Sequence, residues 1–329
     1  MNTLTRTPAS PAPSASDAEA APTVLAFDVG GTDMKVGLLP GSIAPGAIDI
    51  RDLKRLPTPH SGQPGRGPAT ADAIVERIVE LTREYQANHP DVPVAAVGVT
   101  VPGLVDEVAG TGIFSANLGW DNYPFTDKLT ERLRLPVAFG HDVAMAGEAE
   151  LQIGAARGHS DVVVMVIGTG IAGAVVCDGH RVRGGGYSGE LGHAMVPTGD
   201  GSTAILESVG SARAIAQAYQ KATGTEVDGA RAVLELAQAG DEAAVKAWET
   251  GVQAVAFSIA QCVSILGTET VVLGGGLSMA GPALFEPLAA RIDALLSFHR
   301  RPNLVHAELG ENAGLIGSAL KARALLAAS

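Results

Sequence analysis

The sequence has few cysteines, few aromatic residues and no long apolar run. Its 329 residues include only Cys177 and Cys262, too few for a disulfide framework or a four-cysteine metal site. A reduced, cytoplasmic chain is therefore expected. The runs "VVVMVIG" and "VAAVGVTVPGLV" are short and contain glycine, whereas a membrane-spanning helix needs about 20 apolar residues. These runs predict buried strands, and we expect no membrane partner.

Positive charge is also scarce. The 23 basic residues are outnumbered by 35 acidic residues, so the formal net charge is −12. A chain of this charge is not attracted broadly to nucleic acid or to anionic lipid. We therefore expect no nucleic-acid partner, although a local cationic pocket for phosphate remains compatible with the composition.

Glycine, in contrast, is abundant. The chain has 41 glycines and 46% hydrophobic residues, which is typical of a soluble α/β protein with many tight turns. Its length fits two ordinary domains or one large domain. Residues 1–22 are rich in Ala, Pro and Ser and lack the apolar core of a signal peptide, so they predict a disordered leader.

Hydrophobic spacing predicts alternating strands and helices. Strands are expected at residues 24–27, 34–39, 94–100 and 137–139, and again from residue 161 around a second glycine turn. Ile74, Ile78, Leu81 and Tyr85 have helical spacing, with Thr70 as a candidate cap. Later, we expect a helix at 252–266, strands at "TVVLGGG" and 304–308, and a helix opened by Gly314. This alternation favours a mixed or parallel sheet with helices on its faces.

The first glycine turn, in "AFDVGGTDMKVGLL", is a candidate phosphate site. Gly30, Gly31 and Thr32 can present backbone N–H groups and a hydroxyl to an anion. Asp28 could hold Mg²⁺ through water, and Lys35 could lie near the anion. An ordinary hairpin turn is the alternative for this motif alone. Neither the P-loop pattern nor the dinucleotide glycine pattern is present in this stretch.

Two further glycine clusters could contact the same nucleotide. Gly168, Thr169 and Gly170 in "GTGIAG" repeat the first turn and could meet the phosphates from the opposite side. Gly275 and Gly276 end a buried strand in "VVLGGG", where a base or ribose could lie against the backbone. For this last cluster alone, a structural turn is the more frequent explanation.

Asp142 is the candidate general base. Phosphoryl transfer to a hydroxyl needs a group that accepts the hydroxyl proton. Asp142 follows a predicted strand and precedes a predicted helix, so it could project from the sheet edge into a cleft. The alternative is that it only caps the helix.

Several polar side chains could bind a sugar. Carboxylates, an imidazole and an amide form the hydrogen bonds that sugar hydroxyls need. Each of them alone could equally be a solvated or capping group. The candidates are Glu190 and His193 in "SGELGH", Glu207 in "AILES" and Asn117 in "ANLGW", with Trp120 as a candidate apolar wall.

The order of these motifs resembles the ROK family of sugar kinases, and its bacterial glucokinases in particular, over residues 23–326. The matching stretches are "DVGGTDMK", "VPG", "NLGW", "HDVAMAGEAE", "GTGIAGA", "GELGH", "LES" and "VLGGG". The resemblance implies the actin-like ATPase (ribonuclease H-like) fold, with two α/β domains around a central cleft. It implies an N-terminal domain at 23–140, a C-terminal domain at 141–312 and a helix at 313–329 that returns to the first domain.

The resemblance also implies a reaction. ATP with Mg²⁺ would be the phosphate donor, the two glycine turns would hold its phosphates, and Asp142 would accept the proton of the sugar's 6-hydroxyl. The sugar-binding positions would be Gly103, Asn117, His141, Glu190, His193 and Glu207. Relatives are commonly dimers or tetramers, so a homodimer is expected by analogy.

The sequence departs from the family pattern in two places. The loop "GHAMVPTGDGSTAILES" lacks the cysteines with which many relatives bind zinc. We therefore predict no structural zinc and a loop ordered by packing or hydrogen bonds. His141 also stands where glucokinase-like members usually have Asn. An imidazole is larger and can become charged, which leaves glucose, mannose, glucosamine, N-acetylated hexosamines and other hexoses open as acceptors.

The family resemblance raises two functions other than an ATP-dependent kinase. A repressor of this family would carry a winged-helix domain first, and the roughly 22 leading residues are too short and too poor in basic side chains for one. A sugar-sensing regulatory protein without turnover would keep the same cleft. Polyphosphate as donor would call for a basic channel, and no Lys/Arg run that would form one occurs in the sequence.

Overall fold

The computed structural model describes residues 21–61, 67–199 and 201–328. Most of the predicted leader, residues 1–20, lies outside this part of the chain. The described residues form an α/β structure with two five-stranded sheets, as the alternating pattern predicts. Cys177 and Cys262 are both free thiols.

The first sheet has the strand order β3-β2-β1-β4-β8. Strand β1 pairs antiparallel with β2 and parallel with β4, and β4 pairs parallel with β8. The apolar runs of β1 and β4 are buried because helices cover both faces of the sheet. The bounds are β1 Thr23–Val29, β2 Asp33–Leu39, β3 Arg51–Pro57, β4 Val94–Val101 and β8 Val137–His141.

The second sheet repeats this topology with the strand order β11-β10-β9-β14-β15. Strand β9 pairs antiparallel with β10 and parallel with β14, and β14 pairs parallel with β15. The two glycine turns thus occupy equivalent positions, each between the first two strands of its sheet. The bounds are β9 Val162–Ile167, β10 Ile171–Cys177, β11 His180–Arg181, β14 Thr270–Gly274 and β15 Asn303–His306.

Two helices and a small antiparallel sheet pack beside the first sheet. They are α1 Ala69–Asn88, α2 Phe125–Leu133, β5 Leu104–Asp106, β6 Thr111–Phe114 and β7 Asp121–Tyr123.

The prediction that Thr70 caps α1 is wrong. The helix begins one residue earlier, after Pro68, and the Thr70 hydroxyl bonds to Ser61 instead. Pro68 has φ −73°, a backbone angle that already suits a helix start, so the helix begins without a side-chain cap. Trp120 is fully buried against Phe125, so it does not form the apolar wall of a cleft.

The helices that follow the second glycine turn form the core of the second half. They are α4 Glu207–Gly210, α5 Ala212–Thr223, α6 Gly229–Gln238, α7 Glu242–Leu266 and α8 Pro282–Leu295. A hairpin of β12 Met195–Pro197 and β13 Thr203–Ile205 precedes them, and 3₁₀ turns occupy Gly184–Gly186, Leu191–His193, Gly276–Ala280 and Gly310–Asn312.

Helix α7 begins ten residues before the predicted position. Asp241 caps it by accepting a hydrogen bond from the Ala244 N–H, and Gly267 ends it in the left-handed conformation. Among the described residues, α7 is the helix with the length and apolar composition to cross a membrane. Its buried residues, such as Val255 and Ile259, pack in the core against the second sheet.

Two helices lie between the sheets. Helix α3 (Asp142–Ile153) packs against β10 and against α9 (Ala313–Ala327), and α9 in turn packs on β1, β4 and β8 of the first sheet. These contacts are close. A Cβ added at Gly317 would lie 2.0 Å from the Met145 carbonyl oxygen, so only glycine lets α9 approach α3 this closely. The N-termini of both helices face the region between the sheets.

Candidate active site

A cavity of about 390 Å³ lies between the two sheets, where several elements begin or end. Asp28 is the next-to-last residue of β1, and Asp142 is the first residue of α3. Gly275 and Gly276 directly follow β14. The structure thus brings four of the predicted site residues to one cavity. Three lining residues had no signal in the sequence because they are ordinary polar side chains in unremarkable contexts: Glu150, His306 and Glu311.

Asp142 is held through one of its two carboxylate oxygens. Its Oδ1 accepts a hydrogen bond from the Val143 N–H at 2.7 Å. The Nε2 atom of His141 lies 3.1 Å from the same oxygen. Within the described part of the chain, Oδ2 has no hydrogen-bond partner. One oxygen therefore orients the side chain, and the other is available to accept a proton.

His141, rather than Asp142, is the cap of α3. Its Nδ1 atom accepts a hydrogen bond from the Ala144 N–H at 3.3 Å. A nitrogen that accepts carries no hydrogen, so the neutral imidazole carries its hydrogen on Nε2, the atom beside Asp142. The alternative that Asp142 serves only as a helix cap is therefore not needed to explain the start of α3.

Asp28 is a second carboxylate in this cavity. Its Oδ1 accepts a hydrogen bond from the Thr100 hydroxyl at 3.0 Å, and Lys35 Nζ lies 3.9 Å from Oδ2. Burial raises the pKa of Asp28 to about 6, and the charge of Asp142 adds to the rise, while Lys35 and Thr100 oppose it. A cation bound here would favour the charged carboxylate, so this donor fits a hard divalent ion such as Mg²⁺.

Gly314, at the start of α9, leaves the space that Asp28 occupies. A Cβ added at Gly314 would lie 2.8 Å from Asp28 Oδ1, closer than an ordinary contact. Helix α9 therefore leaves room for the Asp28 carboxylate because residue 314 has no side chain. Sequence reasoning identified Gly314 as a helix start and did not connect it with Asp28.

We expect Gly314→Ala to lower kcat at least about tenfold, because the added Cβ would displace the Asp28 carboxylate and small displacements in a catalytic site are costly. Alanine favours the helix by about 1 kcal/mol relative to glycine. This gain opposes the cost of crowding Asp28, so the thermal midpoint should change little. Steady-state kinetics and a thermal melt measure the two effects. Gly67→Ala is the control because an added Cβ at Gly67 meets no atom within 4 Å. Unchanged kcat in Gly314→Ala would contradict the expected crowding of Asp28.

The two glycine turns do not line this cavity. In the first, the Gly30 N–H donates to the Asp33 carbonyl at 2.8 Å, and Thr58 donates its hydroxyl to the Gly30 carbonyl. The turn also includes Gly31 and Thr32. In the second, the Gly168 N–H donates to the Gly170 carbonyl at 2.9 Å, with Thr169 at the tip.

Glu207 is attached to the second turn. Its Oε2 accepts a hydrogen bond from the Ile171 N–H at 2.9 Å, and a Cβ added at Gly170 would lie 2.4 Å from the same oxygen. Arg213 Nη2 lies 3.7 Å from Oε1. The predicted sugar ligand is thus next to the predicted phosphate turn.

Among the described residues, no hydrogen bond or ion pair joins the remaining predicted sugar residues to Asp142. His193 Nε2 lies 4.0 Å from Glu190 Oε2, and the His193 side chain is 65% exposed. Asn117 is exposed on a turn. Gly103 has φ 98°, and a Cβ there would lie 2.3 Å from the Phe114 carbonyl oxygen, so this turn requires glycine.

The loop after His193 is ordered by backbone pairing. Strands β12 and β13 form its hairpin, and the Leu206 N–H donates to the Ala194 carbonyl at 2.9 Å. Within residues 21–61, 67–199 and 201–328, no three His, Cys, Asp or Glu side chains form a metal-binding group. The absence of a structural zinc stays a prediction for metal analysis.

A buried ion cluster connects the two halves beside His141. Arg181 Nη2 lies 2.6 Å from Glu107 Oε2, and Lys321 bonds to the same carboxylate. Arg181 Nε also lies 3.3 Å from Glu148. The four residues come from the β5–β6 turn, β11, α3 and α9, and their wide separation in the chain left no signal in the sequence.

The comparisons with known proteins decide the family. The family model described as ROK family matches residues 24–324. The chain belongs to the ROK family. It is 32% identical over 318 residues to a glucokinase of Thermotoga maritima, covering 90% of this chain and 96% of that protein. It is also 31% identical to an N-acetylmannosamine kinase of Escherichia fergusonii, covering 92% of this chain and 98% of that protein.

A solved ROK structure confirms the predicted fold. A ROK glucokinase from Streptomyces griseus, in complex with glucose and AMPPNP, matches with a TM-score of 0.73 and 27% identity. The match covers 92% of this chain and 99% of that one. Structures of ROK kinases have the actin-like ATPase fold, so the prediction of this fold for the chain is confirmed.

Proposed function

We propose that this ROK protein transfers the γ-phosphate of ATP to the 6-hydroxyl of glucose or a related hexose, with Asp142 as general base. The chain is an ATP-dependent sugar kinase by its family, its glucokinase relative and the AMPPNP complex of its structural neighbour. The observation that carries the catalytic assignment is the geometry of Asp142. Its Oδ1 is held by Val143, and its Oδ2 is available at the cavity.

The proposed reaction is a direct displacement. The proton of the sugar's 6-hydroxyl moves to Asp142 Oδ2, and the oxygen forms a bond to the γ-phosphorus. The bond from the γ-phosphorus to the bridging oxygen breaks, and ADP leaves. The backbone of residues 30–32 and 168–170 would hold the phosphates from two sides, and Gly275 and Gly276 would contact the nucleoside.

Asp28 is the proposed Mg²⁺ residue, acting through water. When bound, Mg²⁺ would neutralise part of the charge on the phosphates. Asp28 is suited to this role because its carboxylate is buried next to a second carboxylate, Asp142, with Lys35 at 3.9 Å. Lys35 also donates to the backbone carbonyl of Glu311, which keeps its amine at the site.

The proposed sugar ligands are polar residues from both halves of the chain, together with the turn around Gly103. The link between Glu207 and Ile171 supports this assignment because it connects a sugar ligand to the phosphate turn. His141 is proposed to contact the sugar near Asp142. The full set is Gly103, Asn117, His141, Glu190, His193 and Glu207.

A sugar screen tests the proposal. We would measure ATP-dependent ADP release with glucose, mannose, glucosamine, N-acetylglucosamine, N-acetylmannosamine, fructose and allose, and detect the sugar phosphate by mass spectrometry. We expect turnover of glucose or a related hexose. An amino or N-acetylamino sugar as the best acceptor would support the alternative that the resemblance to N-acetylmannosamine kinase raises. Binding without turnover at high enzyme concentration would support a sugar-sensing protein, and a polyphosphate arm tests the donor.

His141→Ala is expected to lower stability by about 1 kcal/mol, because α3 loses its N-cap. It should also lower kcat, since Asp142 loses the imidazole 3.1 Å from its Oδ1. His141→Asn restores a capping acceptor, so its stability should approach the unmodified protein. Urea unfolding and kinetics of the three proteins check this. Equal stability of His141→Ala and the unmodified protein would contradict the cap.

We further propose two domains, at residues 23–140 and 141–312, with the helix at 313–329 belonging to the first. Two observations support this division. Each five-stranded sheet takes its strands from one of the two ranges, apart from His141 at the end of β8, and α9 packs on the first sheet.

We infer a homodimer by family analogy. The two free thiols support a cytoplasmic location, and the net charge of −12 argues against a nucleic-acid partner. Light scattering after size exclusion tests the dimer.

A further inference from the structure

Glu150 is a buried carboxylate that the proposed reaction does not use. It lies in α3, two turns after Asp142, and is 1% exposed. Its carboxylate accepts three backbone hydrogen bonds. Oε2 accepts from the Ala155 N–H at 2.8 Å and from the Glu308 N–H at 3.2 Å, and Oε1 accepts from the Leu309 N–H at 2.8 Å.

These three amides belong to the two connections between the sheets. Residues 154–161 lead from α3 to β9 of the second sheet, and residues 307–312 lead from β15 back to α9 on the first sheet. Ala155 lies in the first connection, and Glu308 and Leu309 lie in the second. One carboxylate therefore holds together the two places where the chain passes from one sheet to the other.

Each connection adjoins a helix that contributes to the proposed site. The first connection follows the C-terminus of α3, the helix that carries Asp142 at its N-terminus. The second connection leads into α9, whose second residue, Gly314, leaves room for Asp28. Glu150 also lines the cavity that contains both aspartates.

We propose that Glu150 is a positioning residue that fastens the two connections and thereby sets the placement of Asp28 relative to Asp142. The catalytic part of this proposal rests on the proposed function. Glu150 acts on the reaction through the backbone and touches no reacting atom. A charged acceptor suits the role because hydrogen bonds to an ionised group are the stronger ones.

The neighbouring Gly154 fits the same role. A Cβ added there would lie 2.1 Å from Glu150 Oε2, so the carboxylate occupies the space of a side chain at 154. The backbone of Gly154 has φ −115°, which alanine can adopt. Gly154→Ala therefore displaces the carboxylate without removing its charge.

Two variants and a control test the proposal on the full chain. Glu150→Gln replaces one acceptor oxygen with an NH₂ group, so at least one backbone N–H meets a donor. Gly154→Ala displaces the carboxylate sterically. Glu131→Gln makes the same chemical change at an exposed position of α2. Hydrogen exchange of peptides containing Ala155, Glu308 and Leu309 reports whether Glu150 still holds these three amides, which we call the Glu150 anchor. The kcat and the sugar KM report the effect of the anchor on the site.

We expect faster exchange of these amides in both variants, with kcat at least about tenfold lower and the sugar KM changed by less than about threefold. Glu131→Gln should match the unmodified protein. Faster exchange with unchanged kcat would overturn the positioning role, and unchanged exchange would overturn the anchor. Failure of both variants to fold would make Glu150 a folding residue and would also overturn the proposal.

Failure of the proposed function would give a different result. The unmodified protein would then phosphorylate no hexose, while exchange at the three amides would still report the anchor. AMPPNP affinity replaces kcat as the readout in that case. We expect weaker binding in Glu150→Gln and Gly154→Ala, and unchanged affinity in both would overturn the positioning role.

Discussion

Asp142→Asn is expected to lower kcat about a thousandfold while the sugar KM changes little, because a positioned general base contributes about 10²–10⁴ to a rate. Asparagine keeps the shape of the side chain and can still accept the Val143 N–H through its carbonyl oxygen. It cannot take the proton of the sugar hydroxyl. Coupled ADP-release kinetics at saturating ATP measure the loss.

The control for this variant is Asp91→Asn, since Asp91 is exposed and outside the cavity. It should retain the activity of the unmodified protein. Two results would contradict the assignment of Asp142. One is activity of Asp142→Asn within a few fold of the unmodified protein. The other is a large rise in the sugar KM with unchanged kcat, which would make Asp142 a binding residue only.

Glu107→Gln is expected to lower the free energy of unfolding by about 3 kcal/mol, since removal of one partner from a buried ion pair leaves uncompensated charge. The side chains of Glu107 and Arg181 are each 9% exposed, and Lys321 is 24% exposed. Without the carboxylate, Lys321 and Arg181 lose the negative charge that they share, although Arg181 keeps its contact with Glu148. Chemical denaturation at neutral pH measures the change, and Glu249→Gln at an exposed position is the control.

The cost of Glu107→Gln should depend on pH. Burial opposes ionisation of Glu107, but the charges of Lys321 and Arg181 outweigh it and hold its pKa below the ordinary value of 4.5. A lowered folded-state pKa contributes stability above pH 4.5, and this contribution is lost as the pH falls through the folded value. The difference between the two proteins should therefore be constant near neutrality and shrink below pH 4.5. A difference that grows in acid would contradict the ion cluster.

The central strands of the two sheets and several helices could be predicted because each has a local signal, whereas β3 and the short strands β5–β7 and β11–β13 were not predicted. Strand β1 and strand β4 are continuous apolar runs, and α1 repeats apolar residues at helical spacing. The start of α7 was predicted too late because its first ten residues have no continuous apolar pattern and the cap at Asp241 was not recognised. The prediction for Thr70 was wrong because the N-cap position is Pro68, two residues before Thr70.

The candidate site was predictable where chemistry follows a strand. Asp28, Asp142, Gly275 and Gly276 all lie at the ends of predicted strands, and the structure places all four at one cavity. The sugar candidates share no such rule. Glu190 and His193 lie on a loop, where their side chains are 4.0 Å apart. No hydrogen bond or ion pair joins either described side chain to Asp142.

The sequence by itself determined the α/β class, the two glycine turns, the aspartate at the start of α3 and the family, since these depend on residues close together in the chain. Only the tertiary structure decided that Glu150 holds both connections between the sheets, that Gly314 leaves room for Asp28, and that Glu107 pairs with Arg181. Apart from the bond between Glu150 and Ala155, these contacts join positions more than 70 residues apart. Hydrophobic periodicity specifies which face of an element is buried, and the identity of the group that it meets depends on how the elements pack.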